Sequence, residues 1–326
     1  MRNILPSLLI FGCMSALWAA APLETVSFPH DAILSADAQC IFSHTIYESS
    51  VHAYNIIIGN SLILSLPMIP NSSDSRVTCA NSIPDGFVVG ARYISHQDEK
   101  RPKGNNLYAV IFYDRNGVYK SHFETTKLEF LAASVWDAGN VVLAWRNRKV
   151  VAGKREAAFG LSIFDRQGKE VLSLGKVHTL REEDYIKSQP FTLTNHHLYW
   201  RENQLYYIDP DSGEMTAWDK KGNLVYAKKL DLGSVPVKGG VKYLESCFKA
   251  GSAWMAVVEN YDSNANSHGN GFIADLKSPE IFIPLSSQSG MLHWIGNDFF
   301  IEAYQAQGLK HLVQLTEENW KALFQH

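Results

Sequence analysis

The sequence predicts an all-β fold, a six-bladed β-propeller of four-stranded blades followed by a short C-terminal helix. Three observations carry this expectation. A strand, an Asp-x-x-Gly turn and a second strand recur about every fifty residues. Short aromatic-rich strands alternate with turn signals along the chain. Helical periodicity is confined to Thr316–Phe324, where Trp320 and Leu323 share one face. The 326 residues are 46% hydrophobic and 19% charged, a globular profile that excludes a disordered chain.

The first element is an export signal. Arg2 precedes an apolar run from Ile4 to Trp18, and small residues follow at Ala19, Ala20 and Ala21. The run is too short, and too interrupted by Pro6, Ser7 and Ser15, for a membrane span of about 20 residues. No later stretch approaches spanning length, so no transmembrane segment is expected. Cleavage after Ala21 leaves residues 22–326 as a single propeller domain, exported to the periplasm of a Gram-negative-like cell or secreted. A competing reading takes Ile10-Phe11-Gly12-Cys13 as a lipobox with a lipid anchor on Cys13.

Export sets the redox context. Cys40, Cys79 and Cys247 remain after the leader, and an odd count in an oxidising compartment suggests one pair and one thiol. Cys40 and Cys79, the closest in sequence, are the expected disulfide. The alternative is three buried thiols acting as small apolar residues.

The repeats come next. Ile111-Phe-Tyr-Asp-Arg-Asn-Gly117, Ser162-Ile-Phe-Asp-Arg-Gln-Gly168 and Thr216-Ala-Trp-Asp-Lys-Lys-Gly222 place Asp114, Asp165 and Asp219 at intervals of 51 and 54 residues. The Asp carboxylate accepts from the backbone N–H groups that follow it, and Gly takes the positive φ that closes the hairpin. Asp275 follows with a Ser-Pro turn in place of Gly.

The units cover residues 38–67, 77–123, 128–174, 191–230, 241–285 and 289–315. The third reads most clearly, with strands at 128–135, 140–145, 158–164 and 170–174. The last unit lacks a fourth strand, and Leu23–Phe28 is the candidate to supply it and close the ring, which removes exposed sheet edges. A seven-bladed ring and a large sandwich are the alternatives.

These repeats resemble those of bacterial six-bladed propellers of the broad NHL-like and TolB-like kind. The resemblance covers most of residues 77–285 and implies a fold without an activity. Other signatures fall short. Trp136-Asp137 and Trp218-Asp219 lack the Gly-His of WD repeats, and Asp209-Pro-Asp-Ser-Gly213 is a single quinoprotein-like match.

Composition narrows the function classes. Thirty Lys and Arg against 33 Asp and Glu give a formal net charge of −3, which excludes a generally basic nucleic-acid binder. Gly269-Asn-Gly271 leads into a strand, so no helix N-terminus faces a pyrophosphate. His196 and His197 are adjacent and would point to opposite faces of a strand.

Four long connectors fall on one end of the propeller, and long loops on a rigid scaffold are where binding concentrates. They are Ser95–Asn106 with Arg101, Arg146–Ala157 with Arg148, Lys149, Lys154 and Arg155, Gly175–Gln189 with His178, and Asn260–Asn270 with Tyr261, Asp262 and His268. The expected protein is a non-catalytic binding or scaffolding module for an envelope protein, a peptide or a glycan, without a cofactor. The rival class is a lactonase-like, calcium-dependent hydrolase, in which Glu245, Asn260 and Asp262 would hold the metal at the central channel.

Overall fold

A computed structural model describes residues 27–29, 32–34, 40–44, 49–55, 60–69, 72–95, 106–151, 154–181, 197–201, 203–209, 214–229, 241–250, 253–262, 267–268, 272–275, 278–284, 289–295, 298–305 and 309–315. No helix occurs among them. The expected export signal, Cys13, Arg101 and the expected helix at Thr316–Phe324 lie outside the described residues.

The chain begins with β1 (Ser27–Pro29). The first sheet of consecutive strands is β2 (Ile33–Leu34), β3 (Cys40–Ser43), β4 (Ser50–Asn55) and β5 (Asn60–Ser65). The second is β6 (Ser72–Ile83), β7 (Gly86–Ser95), β8 (Leu107–Asp114) and β9 (Tyr119–Thr125). The third is β10 (Glu129–Val135), β11 (Asn140–Val151), β12 (Lys154–Asp165) and β13 (Glu170–Arg181). The fourth is β14 (His197–Arg201), β15 (Gln204–Asp209), β16 (Glu214–Asp219) and β17 (Leu224–Lys229).

The fifth comprises β18 (Val241–Ala250), β19 (Ala253–Asp262), β21 (Phe272–Asp275) and β22 (Ser278–Pro284), with the short β20 (Ser267–His268) pairing β19. A further sheet joins the chain ends: β23 (Ser289–Ile295), β24 (Asp298–Gln305) and β25 (Leu309–Leu315), with β1 antiparallel to β25. Phe28 stands opposite Lys310 there. The first strands neighbour one another: β2 lies against β6, β6 against β10, β10 against β14, and β18 against β23. The result is an all-β propeller of four-stranded blades.

Face-to-face sheets explain the continuous apolar strands. On β8, Leu107, Ala109, Ile111 and Tyr113 face the first sheet beside Phe42 and Val51. The alternate residues Tyr108, Val110 and Phe112 face the third sheet and meet Phe130 and Leu143. With both faces covered, the period-2 polar alternation of a half-exposed strand disappears. The third sheet repeats this, presenting Val142, Leu161 and Ile163 to Leu198, Leu205 and Trp218 of the fourth.

Polar contacts pin the junctions. Tyr113 donates to the Ser65 carbonyl at 2.9 Å and Tyr93 to the Pro67 carbonyl at 3.2 Å. Burial pushes both phenols well above their ordinary range. Trp200 donates from Nε1 to the Val135 carbonyl at 2.6 Å, and its ring lies 5.4 Å from that of Trp136.

The Asp-x-x-Gly turns form as the sequence predicts. Asp114 Oδ1 accepts from the backbone of Asn116 at 2.9 Å and Val118 at 3.0 Å; Asp165 Oδ1 accepts from Gln167 and Lys169, and Asp219 Oδ1 from Lys221 and Asn223. The turn glycines have φ of 77°, 81° and 84°. Each packs against the outer strand of the preceding sheet, Gly117 on Leu64, Gly168 on Phe123 and Gly222 on Leu172.

Three expectations are corrected. The stretch 146–157 is not a loop: β11 and β12 continue in register to Val151 opposite Lys154. The stretch 175–181 likewise continues β13, with His178 opposite Phe159. No disulfide joins Cys40 to Cys79. Both are buried thiols in different clusters, Cys40 between the first and second sheets and Cys79 between the second and third.

Candidate functional site

The strand lengths of the third sheet build its most distinctive feature. β10 begins at Glu129, opposite Arg146, whereas β11 runs on to Val151. Asn147–Val151 therefore have β12 on one side and, among the described residues, no strand on the other. This is the longest stretch by which a second strand outruns the first strand of its sheet among the described residues. β13 extends along the far side of β12 to Arg181, which stands opposite Glu156. The three strand ends continue the sheet beyond the first residue of β10 as a β-arm.

Charge sits at the base of the arm. Glu129, Arg146, Phe159 and His178 occupy one row across the four strands. The side chains of Glu129 and Arg146 are 9% and 4% exposed. Arg146 donates to Glu129 Oε2 from Nε at 2.9 Å and also from its terminal nitrogen. In a poorly solvated site each charge needs the other, which fixes β10 against β11 at the root of the arm. Arg148, one row further out, has its guanidinium 3.8 Å from the same carboxylate and is 58% exposed. Glu129 is thus hydrogen-bonded to Arg146, and Arg148 adds a longer ion pair to it while staying mostly solvated.

The other expected site residues fall as follows. Lys149 is opposite Glu156, Arg155 opposite Val150 and Lys154 opposite Val151. Register places positions 146, 148, 150, 155, 157, 159 and 178 on one face of the arm, and 149, 154, 156 and 181 on the other. Tyr261 and Asp262 end β19 opposite His268 and Ser267 of β20, so these three expected residues come together in the fifth sheet. They are in a different sheet from the arm. Glu245 lies in β18 and Asn260 in β19. No cluster of three or more His, Cys, Asp or Glu able to hold a metal occurs among the described residues.

Two features escape the sequence pattern. Arg146 reads there as one loop cation among five, and Glu129 as the first polar residue of a strand. Their pairing is visible only once β10 and β11 are in register. A second buried pair joins Lys310 to Glu302 at 3.1 Å, with the Lys310 ammonium 5.3 Å from the Phe28 ring of the closing strand.

Near the inter-sheet link that leads into β10 lies a shallow open depression of about 480 Å³, lined by Leu107, Glu124, Thr125, Thr126 and Lys127. Glu124 belongs to an exposed row in which His122 Nε2 lies 3.0 Å from Glu124 Oε1 and His122 Nδ1 lies 2.7 Å from the Tyr119 hydroxyl. An imidazole with its proton on Nε2 satisfies both contacts. The depression is polar and open, unlike the enclosed apolar cleft of a small-molecule site.

No family model and no curated protein matches the chain. Solved propeller structures do align with it. The luciferin-regenerating enzyme is 10% identical, with a TM-score of 0.42 over 90% of this chain and 91% of that one. The β-propeller domain of Cps50 (Swd1) from Myceliophteria thermophila is 11% identical, with a TM-score of 0.45 over 90% and 100%. The calcium-binding protein regucalcin from Agrobacterium tumefaciens is 12% identical, with a TM-score of 0.39 over 94% and 88%. The propeller assignment itself rests on strand pairing.

Proposed function

We propose that the protein is an exported, non-catalytic binding or scaffolding propeller that presents the end carrying the β-arm to an envelope protein, a peptide or a glycan. The ring is six-bladed, of the NHL-like and TolB-like kind, closed by β1, and it works in the periplasm or outside the cell. One observation carries this reading: a cation-rich arm stands out from the blade on a rigid, ion-paired base. Polar side chains held on a stiff scaffold bind with little loss of conformational entropy.

Charge reversal tests it. The triple variant Lys149→Glu, Lys154→Glu, Arg155→Glu should keep the far-ultraviolet circular dichroism and the melting temperature of the parent. It should lose in vivo cross-links to its envelope partner. Cross-linking that survives the reversal places the binding face elsewhere.

A further inference from the structure

The arm has two properties that point in the same direction. The first is its open edge, Asn147–Val151, where backbone groups lie beyond Glu129, the first residue of β10. The second is its charge. Residues 147–157 and 176–181 hold Arg148, Lys149, Lys154, Arg155, Lys176 and Arg181 against the single anion Glu156, in a chain of formal net charge −3. Arg146 adds nothing to that excess because Glu129 neutralises it.

We propose that the β11 edge of the arm captures an acidic, extended polypeptide segment as an added strand. This deepens the reading above, and rests on it, by naming the partner's chemistry. An incoming strand would form main-chain hydrogen bonds with Asn147–Val151, and its alternate side chains would stand beside positions 148 and 150 or beside 147, 149 and 151. Cross-strand neighbours of this kind have Cβ atoms about 4.5–5.5 Å apart, within reach of an Arg–carboxylate or Lys–carboxylate pair. A glycan or a nucleic acid could answer the charge. It has no repeating N–H and C=O to pair with a sheet edge, and that favours a polypeptide.

The test uses the full-length mature protein and a fluorescein-labelled hexapeptide of alternating Glu and Val, read by fluorescence anisotropy. Saturable binding is expected, weakening at least tenfold between low and high salt. Binding should fall at least tenfold when alternate peptide nitrogens on one edge are methylated, and it should vanish in the Lys149→Glu, Lys154→Glu, Arg155→Glu variant. Equal affinity for methylated and unmethylated peptides, or tighter binding of a heparin oligosaccharide, would overturn strand addition in favour of a plain polyanion surface. No binding of either probe overturns the proposal. In that case partner cross-links that still depend on Lys149, Lys154 and Arg155 would leave the arm standing as the binding face, and cross-links that do not depend on them would place that face elsewhere.

Discussion

Gly168 lies against the ring of Phe123, so that a Cβ on this glycine would sit 2.6 Å from the ring and 2.8 Å from the Phe123 Cβ. The glycine also has φ of 81°, a region that costs an L-residue about 1–2 kcal/mol. Gly168→Ala is therefore expected to destabilise more than Gly117→Ala, whose nearest neighbour is the movable Leu64 Cδ2 at 3.2 Å. Thermal unfolding of the two variants checks the order. Phe123→Ala should recover part of the loss for Gly168→Ala by opening space, leaving the backbone strain.

The buried base of the arm is expected to be intolerant of single changes. Arg146→Met leaves the Glu129 carboxylate buried beside an exposed Arg148 at 3.8 Å. Removing one partner of such a pair costs about 3–5 kcal/mol. Chemical denaturation of Arg146→Met and of the double variant Glu129→Leu, Arg146→Met separates the two contributions, and the double variant should recover much of the loss.

Acid should loosen the turns. The Lys120 hydrogen bond, followed by the Val118 N–H, holds the Asp114 carboxyl below its ordinary range; the Asn223 side chain, followed by its backbone N–H, does so for Asp219. A depressed folded value stabilises the native state above the unfolded value of about 3.9, and that stability is lost as pH falls through the folded value. Asp219→Ala should therefore differ most from the parent near neutral pH, and the gap in melting temperature should close as pH drops below about 4.

The thiols should stay thiols. Burial pushes the Cys79 thiol up to about 12, against the opposing hydrogen bonds from Thr78 and the Gly90 backbone. Native protein should react with Cys79 only after unfolding, since the thiolate is the reactive form. Unreduced peptide mapping should find Cys40 and Cys79 in separate peptides.

Calcium separates the two function classes. A ligand at about 100 times its Kd adds about 2.7 kcal/mol to a folded state. The binding-module reading expects equal melting temperatures in EDTA and in millimolar calcium. A rise of several degrees would favour a metal-dependent hydrolase at the channel.

The fold was legible because its signal is local. Asp114, Asp165 and Asp219 bond to N–H groups two and four residues ahead, so four or five residues encode each turn and the spacing encodes the blade. The arm is not legible in the sequence because Arg148, Lys149, Lys154 and Arg155 read as solvated loop, whereas the backbone ladder continues through them. The Glu129–Arg146 pair was hidden for a different reason. Its partners are 17 residues apart, and neither contrasts with its neighbours until β10 and β11 are aligned.

The pairing of β1 with β25 has a consequence for the order of events during synthesis. Phe28 emerges among the first residues of the sheet system and its partner Lys310 among the last. Loop closure over nearly the whole chain has a large entropic cost and slows folding. Until the last strand arrives, β1 has no partner and the sheet of β23 and β24 lacks its outer strands. Cutting the chain in a surface turn and joining its old ends would convert that late pairing of β1 with β25 into a local hairpin.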